Sequence, residues 1–175
     1  SFMGTGIGMP NTVFRKYHFN AYETIGEHTI SLGAWAPWNQ PKTFNVLDLG
    51  CRNFEFTNKL RELGYKVYPV DISEMNETGM INPSPNSSEH VTETGSDYYR
   101  IAISDTDGKC GIRRNHDPQA THIIDGDEIE MMTIESFTKQ VGVENWDIIK
   151  MDIEGKELDI LMNSNHPIAD QVSVE

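Results

Sequence analysis

A chain of 175 residues is long enough for one domain with a core and rarely for two. Its 27 acidic against 14 basic residues give a formal charge of −13. That balance opposes attraction to a nucleic-acid backbone or an anionic membrane and favours a small or weakly charged partner. With 37% apolar and 23% charged residues, and no apolar run near the roughly 20 residues of a membrane span, the composition reads as soluble and globular. Two cysteines, Cys51 and Cys110, make no disulfide framework, so a reducing cytoplasm is the simplest setting. Cys110, His116 and His122 match no common zinc spacing and lack a fourth ligand, so no metal is expected.

The opening "SFMGTG" reads as a cloning remnant ahead of a native Met3. Residues 3–42 are rich in glycine, aromatic residues and turn formers. "AWAPWNQP" breaks any regular helix there, so the segment is expected to cover one end of a core. Tyr17, His18, Tyr22 and Trp35 either line a pocket or only pack. "FNVLDLG" is a short apolar run ending at Gly50, the pattern of a strand buried on both faces. "FTNKLRELG" places Phe56, Leu60 and Leu63 at helical spacing with Gly64 as its stop. "YKVYPVDIS" is a second strand ending at Asp71, which completes a βαβ unit and requires a parallel sheet.

Residues 74–97 carry two prolines and many Ser, Asn, Thr and Glu, and read as a surface segment with at most a short helix. "YYRIAIS" (98–104) restores a strand, "DTDG" turns, and "KCGIRR" is expected to return antiparallel as a hairpin. The basic cluster "GIRRNH" (111–116) reads as a solvated hairpin end. "TIESFTKQVG" is a helix with Thr133 as N-cap and Gly142 at its end. "WDIIKMDIEG" is a buried strand, "EGKELDILMNSN" the next helix, and "QVSVE" the start of a fifth strand.

Alternating strands and helices give an open α/β sheet, whose ligands bind outside the carboxyl ends of the strands. Asp48 and Gly50, Asp71, Ser104 and Asp105, and Asp152 to Gly155 stand at those ends. Asp71 follows Asp48 by 23 residues, the distance for a carboxylate that accepts ribose hydroxyls. Taken alone, the pair fits either a nucleoside site or strand-end capping. A pyrophosphate site asks for G-x-G-x-x-G, but residues 50–55 read "GCRNFE". A cofactor with adenosine and no phosphate, such as S-adenosylmethionine, is less demanding.

"VLDLGCRNFEFT", "VYPVDIS", "RIAISDTDGK" and above all "DIIKMDIEGKELDIL" resemble the FkbM family of S-adenosylmethionine-dependent methyltransferases. The family pattern K-[ILV]-D-[ILV]-E-G-x-E-[ILV]-x-[ILV]-L is met at every marked position from Lys150 to Leu161. The resemblance spans roughly residues 44–175 and implies a Rossmann-like class I methyltransferase sheet, mostly parallel, here reaching only its fifth strand. Residues 1–42 would be an N-terminal cap or lid and 43–175 the S-adenosylmethionine-binding domain.

Carried over, the family places Asp48, Gly50 and the backbone of Cys51, Arg52 and Asn53 against the methionine part of the cofactor. Asp71 would hold the ribose, Ile72 would lie against adenine, and Ser104 and Asp105 near its amino group. Asp152 and then Glu154 would be the catalytic carboxylates beside the transferred methyl. Lys150 would pair with Glu154 or cap the next helix, and Glu157 and Asp159 would be surface or capping residues. Two positions depart from the family loop D-x-G-A-N-x-G-x-x-T: Arg52 replaces Asn and Phe54 replaces Gly. Phe54 either narrows the loop or turns inward as the first apolar residue of the helix. The function implied is O-methylation of a hydroxyl on a small molecule or sugar. The alternative is a non-catalytic module that binds S-adenosylmethionine or a nucleoside. No nucleic acid or membrane partner is expected, and an exposed fifth strand would invite a second copy at the sheet edge.

Overall fold

The computed structural model describes residues 22–31, 44–75, 81–83, 90–91, 97–113, 122–153, 155–164 and 168–175. The readings placed on Tyr17, His18, Trp35, His116 and Glu154, and on much of 74–97, lie outside the described residues. Strands β1 (Tyr22–Ile25) and β2 (His28–Ser31) form an antiparallel hairpin. Then come β3 (Asn45–Leu49), helix α1 (Glu55–Glu62) and β4 (Lys66–Asp71), the βαβ unit the sequence pattern requires. Short pieces follow: β5 (Ser73–Met75) with β6 (Ile81–Pro83), and β7 (His90–Val91) with β8 (Asp97–Arg100), both antiparallel. The rest runs β9 (Ala102–Ile103), β10 (Gly108–Arg113), β11 (His122–Met132), α2 (Ile134–Val141), β12 (Ile148–Met151), α3 (Glu157–Met162) and β13 (Gln171–Val174).

The main sheet has the order β13-β12-β3-β4-β8-β7. Its first five strands are all parallel. The order reverses between β3 and β12, which makes their carboxyl ends the topological switch point. Side chains alternate between the faces, and both faces are covered, so the central strands are mostly apolar, with Asp48 and Lys150 as buried exceptions. On one face Leu47, Leu49, Tyr68, Val70, Ile149 and Met151 pack with Phe137 and Trp146. On the other, Val46, Val67 and Ile148 pack with Phe56 and Leu60 of α1 and with Ile25 and Ile30 of the hairpin. The β1–β2 hairpin is thus part of this core.

The segment "YYRIAIS" does not stay in one sheet. Its first half is β8 in the main sheet, and after Ile101 (1% exposed) the chain passes to a second sheet of order β10-β11-β9. The expected hairpin is corrected accordingly: β10 pairs antiparallel with β11, and β9 pairs parallel with β11. Strand β11 has no apolar alternation to announce it, because most of "HIIDGDEIE" faces solvent in a two-stranded ribbon. The helix signals hold. Thr133 Oγ1 accepts from the Ser136 N–H, and Gly142 ends α2 in the left-handed region at φ 73°.

Phe137 is fully buried, stacked 6.4 Å from Trp146 and edge-on to Tyr99 at 5.1 Å. Phe137→Ala is expected to lower stability by about 3–5 kcal/mol. A urea titration followed by tryptophan fluorescence reads this as a lower midpoint with an unchanged slope.

Candidate functional site

Asp48, the penultimate residue of β3, is fully buried, and its position is fixed from two sides. Thr57 of α1 donates its hydroxyl to Asp48 Oδ2 at 2.6 Å. Lys150 of β12 places Nζ 3.1 Å from Asp48 Oδ1 and donates to the Gly50 carbonyl at 2.7 Å. Burial lowers the Lys150 pKa, but the Asp48 carboxylate outweighs it, so the ammonium is held above its ordinary value. Lys150 therefore pairs with Asp48 beneath the loop. Asp48 is a foundation of the loop and is turned into the protein.

The loop above this pair turns sharply. Gly50 has φ 83°, and a Cβ there would collide with the carbonyl oxygen of Asp152 across the switch point. Gly50 and Cys51 both donate their N–H groups to the Val70 carbonyl, at 2.8 and 3.1 Å. Arg52 N–H donates to Asp71 Oδ2 at 3.1 Å, and Glu55 N–H to Asn53 Oδ1 at 3.2 Å. Arg52 (φ 45°) and Phe54 (φ 64°) are the two non-glycine residues with positive φ among the described residues. They occupy the Asn and Gly places of the family loop, the residue types that enter this region at least cost. Both residues adopt the left-handed backbone that Asn and Gly favour, with larger side chains in those places. Phe54 turns inward: its ring is 2% exposed and packs edge-on to Tyr98 at 5.8 Å, with Cys51 beside it. Burial also pushes the Cys51 thiol far up, so it is inert packing.

A cleft of about 640 Å³, open to solvent, lies over these strand ends. Its walls include Gly50, Arg52, Asp71, Ile72, Asp152 and Lys156, with Ile101 and Ile103 forming an apolar side. Asp71 Oδ1 accepts from the Ser73 N–H at 3.0 Å, so each of its oxygens holds one backbone donor and keeps a lone pair for another. Burial raises the Asp71 pKa against those two hydrogen bonds. Asp152 follows β12, its N–H bonded to the Leu49 carbonyl at 3.0 Å. Burial and the neighbouring Glu175 carboxyl raise its pKa, with Lys150 opposing.

Most of the sequence-derived set meets here: Gly50, Arg52, Asp71, Ile72 and Asp152 on the wall, and Asp48, Cys51 and Phe54 behind it. Asn53 is exposed and its amide oxygen serves the first turn of α1. Ser104 and Asp105 stand elsewhere, hydrogen-bonded to one another at 3.0 Å and lining a separate polar hollow with Thr133 and Trp146. Glu157 caps the turn before α3, taking the Ile153 and Gly155 N–H groups at 3.0 and 2.9 Å. His28 stands in no motif of the chain. Its ring is 4% exposed and lies near Asp152 and Glu175, brought there by the hairpin from far away in the chain.

A five-strand parallel sheet with a tight loop and acidic strand ends at its switch point defines a Rossmann-like methyltransferase core. The chain matches the model of the methyltransferase FkbM domain over residues 25–175, and it belongs to that family. No curated protein and no solved structure matches it. Membership implies S-adenosylmethionine as methyl donor. The cleft suits that molecule: a carboxylate with spare lone pairs stands beside an apolar slot. The loop's N–H groups of Gly50, Cys51 and Arg52 are already spent on Val70 and Asp71, which disfavours a pyrophosphate.

Removing the buried cation should expose how much the loop depends on it. Lys150→Met leaves the Asp48 charge uncompensated and is expected to cost about 3–5 kcal/mol in urea unfolding. Adding Asp48→Asn to that variant should recover part of the loss.

Proposed function

We propose that the chain transfers a methyl group from S-adenosylmethionine to a hydroxyl of a small molecule or sugar. The observation that carries this reading is the shared wall of Asp71 and Asp152 in one cleft at the switch point. The donor supplies an electrophilic methyl on a sulfonium, displaced in line by the acceptor oxygen. Asp71 would accept the ribose hydroxyls with its remaining lone pairs, and Ile72, Ile101 and Ile103 would keep water from the adenine. Arg52 and Lys156 stand on the cleft wall, where a cation would pair with the cofactor's carboxylate. Asp152 would take the proton that the hydroxyl loses as the new C–O bond forms. Its raised pKa makes it a better base than an ordinary aspartate. The inward turn of Phe54 supports turnover, because the ring occupies the core and not the methionine end of the cleft. The charge of −13 supports a neutral or weakly charged acceptor over a nucleic acid.

The test is calorimetry with S-adenosylhomocysteine, paired with transfer of labelled methyl to hydroxylated acceptors. Asp71→Ala is expected to weaken binding at least about tenfold, the loss of hydrogen bonds to a charged group. Asp152→Asn should retain binding and lower transfer by about 10²–10⁴-fold. Absence of binding by the unaltered chain would overturn the reading. Binding without transfer to any acceptor would favour the non-catalytic module.

A further inference from the structure

Asp152 and Glu175 directly follow the adjacent parallel strands β12 and β13, and the Glu175 N–H reaches the Met151 carbonyl at 3.2 Å, which sets the two carboxyl groups side by side. His28 enters from the β1–β2 hairpin, above the same face of the sheet. One ligand atom from each of His28, Asp152 and Glu175 lies within 4.8 Å of the others. An ion held at about 2.0–2.2 Å from its ligands keeps them up to about 4.4 Å apart, so a small side-chain turn closes the set. Glu175 is exposed, and its hydrogen bond to Asp152 already turns its carboxyl toward the group.

Carboxylates gather on many surfaces without an ion, and the histidine is what separates this group from such clutter. His28 is 4% exposed, its Nδ1 is 2.8 Å from Ser173 Oγ, and its Nε2 is buried with no hydrogen-bond partner. A ring oriented through one nitrogen by a neighbouring hydroxyl, with the other nitrogen lacking a partner, is how ligating histidines are held. The cations nearby do not fill the role. Lys150 is committed to Asp48 and to the Gly50 carbonyl, and Asp152 and Glu175 share a side-chain hydrogen bond, with no salt bridge to either among the described residues. From this geometry we infer that His28, Asp152 and Glu175 form a site for a divalent first-row cation, Mn²⁺ or Zn²⁺.

One imidazole and two carboxylates suit those ions better than Mg²⁺, which prefers oxygen alone. Water would complete the coordination. An ion here would adjoin the Asp152 wall of the cleft. If that wall receives an acceptor hydroxyl, the ion would lower the hydroxyl's pKa. That consequence rests on the function proposed above, whereas binding of the ion does not.

The experiment is titration of Mn²⁺ into the full chain without any cofactor, read by loss of the free-ion electron paramagnetic resonance signal, with Zn²⁺ followed by calorimetry. One site is expected. Glu175→Gln, Asp152→Asn and His28→Gln should each weaken it at least about tenfold, with thermal unfolding recorded to confirm that each variant is folded. Glu175→Gln changes an exposed side chain, so it keeps the test decisive if His28→Gln fails to fold. No binding of either metal at about 1 mM, or unchanged binding in both carboxylate variants, overturns the site. Because S-adenosylhomocysteine is absent, that failure is distinct from a failure of the methyltransferase reading.

Discussion

The buried pair of Lys150 and Asp48 is the constraint on which the site depends. A charged pair removed from water carries a desolvation cost, and it persists only where geometry and further hydrogen bonds offset that cost. Both conditions are met: Thr57 satisfies one Asp48 oxygen, and Lys150 spends a second donor on the Gly50 carbonyl. The pair thereby ties β12 to β3 and to α1, and it aims the Gly50 carbonyl down into the protein. A hydrophobic pair of the same volume would pack as well and would leave that carbonyl without its donor.

From this tie the shape of the cleft follows. With Gly50 pinned from below and pressed against the Asp152 backbone, the chain must leave β3 in a tight turn. The turn requires positive φ twice more, at Arg52 and Phe54, and this strain of about 1–3 kcal/mol per residue is offset locally. Arg52 gives its N–H to Asp71, and Phe54 buries its ring against Tyr98. Tyr98 in turn donates its hydroxyl to the Ser73 carbonyl at 2.8 Å, beside the segment that carries Asp71. The core contact at Phe54 thus also steadies the Asp71 side of the cleft.

Much of this was legible before any coordinates. Asp48, Asp71 and Asp152 stand where the pattern puts strand ends, and periodicity located α1 and α2, with Thr133 and Gly142 capping α2. What was not legible has physical causes. The fate of Phe54 depended on whether a buried aromatic partner stood nearby, and Tyr98 is 44 residues away. Ser104 and Asp105 seemed to end a core strand only because the chain changes sheets at Ile101, a bend that apolar content does not mark. β11 hid because its charged, glycine-containing run faces water on both sides of a ribbon. His28 carries no local signal at all: only the packing of the hairpin onto β13 sets it near Asp152.

The central claim is that the loop held by Lys150 forms one wall of a cofactor cleft at the β3–β12 switch point. A crystal structure with S-adenosylhomocysteine tests it most directly. The account predicts ribose hydroxyls on Asp71, the adenine between Ile72 and the Ile101–Ile103 segment, and the sulfur facing Asp152. A ligand lodged instead in the hollow beside Ser104 and Asp105, with the switch-point cleft vacant, would contradict it.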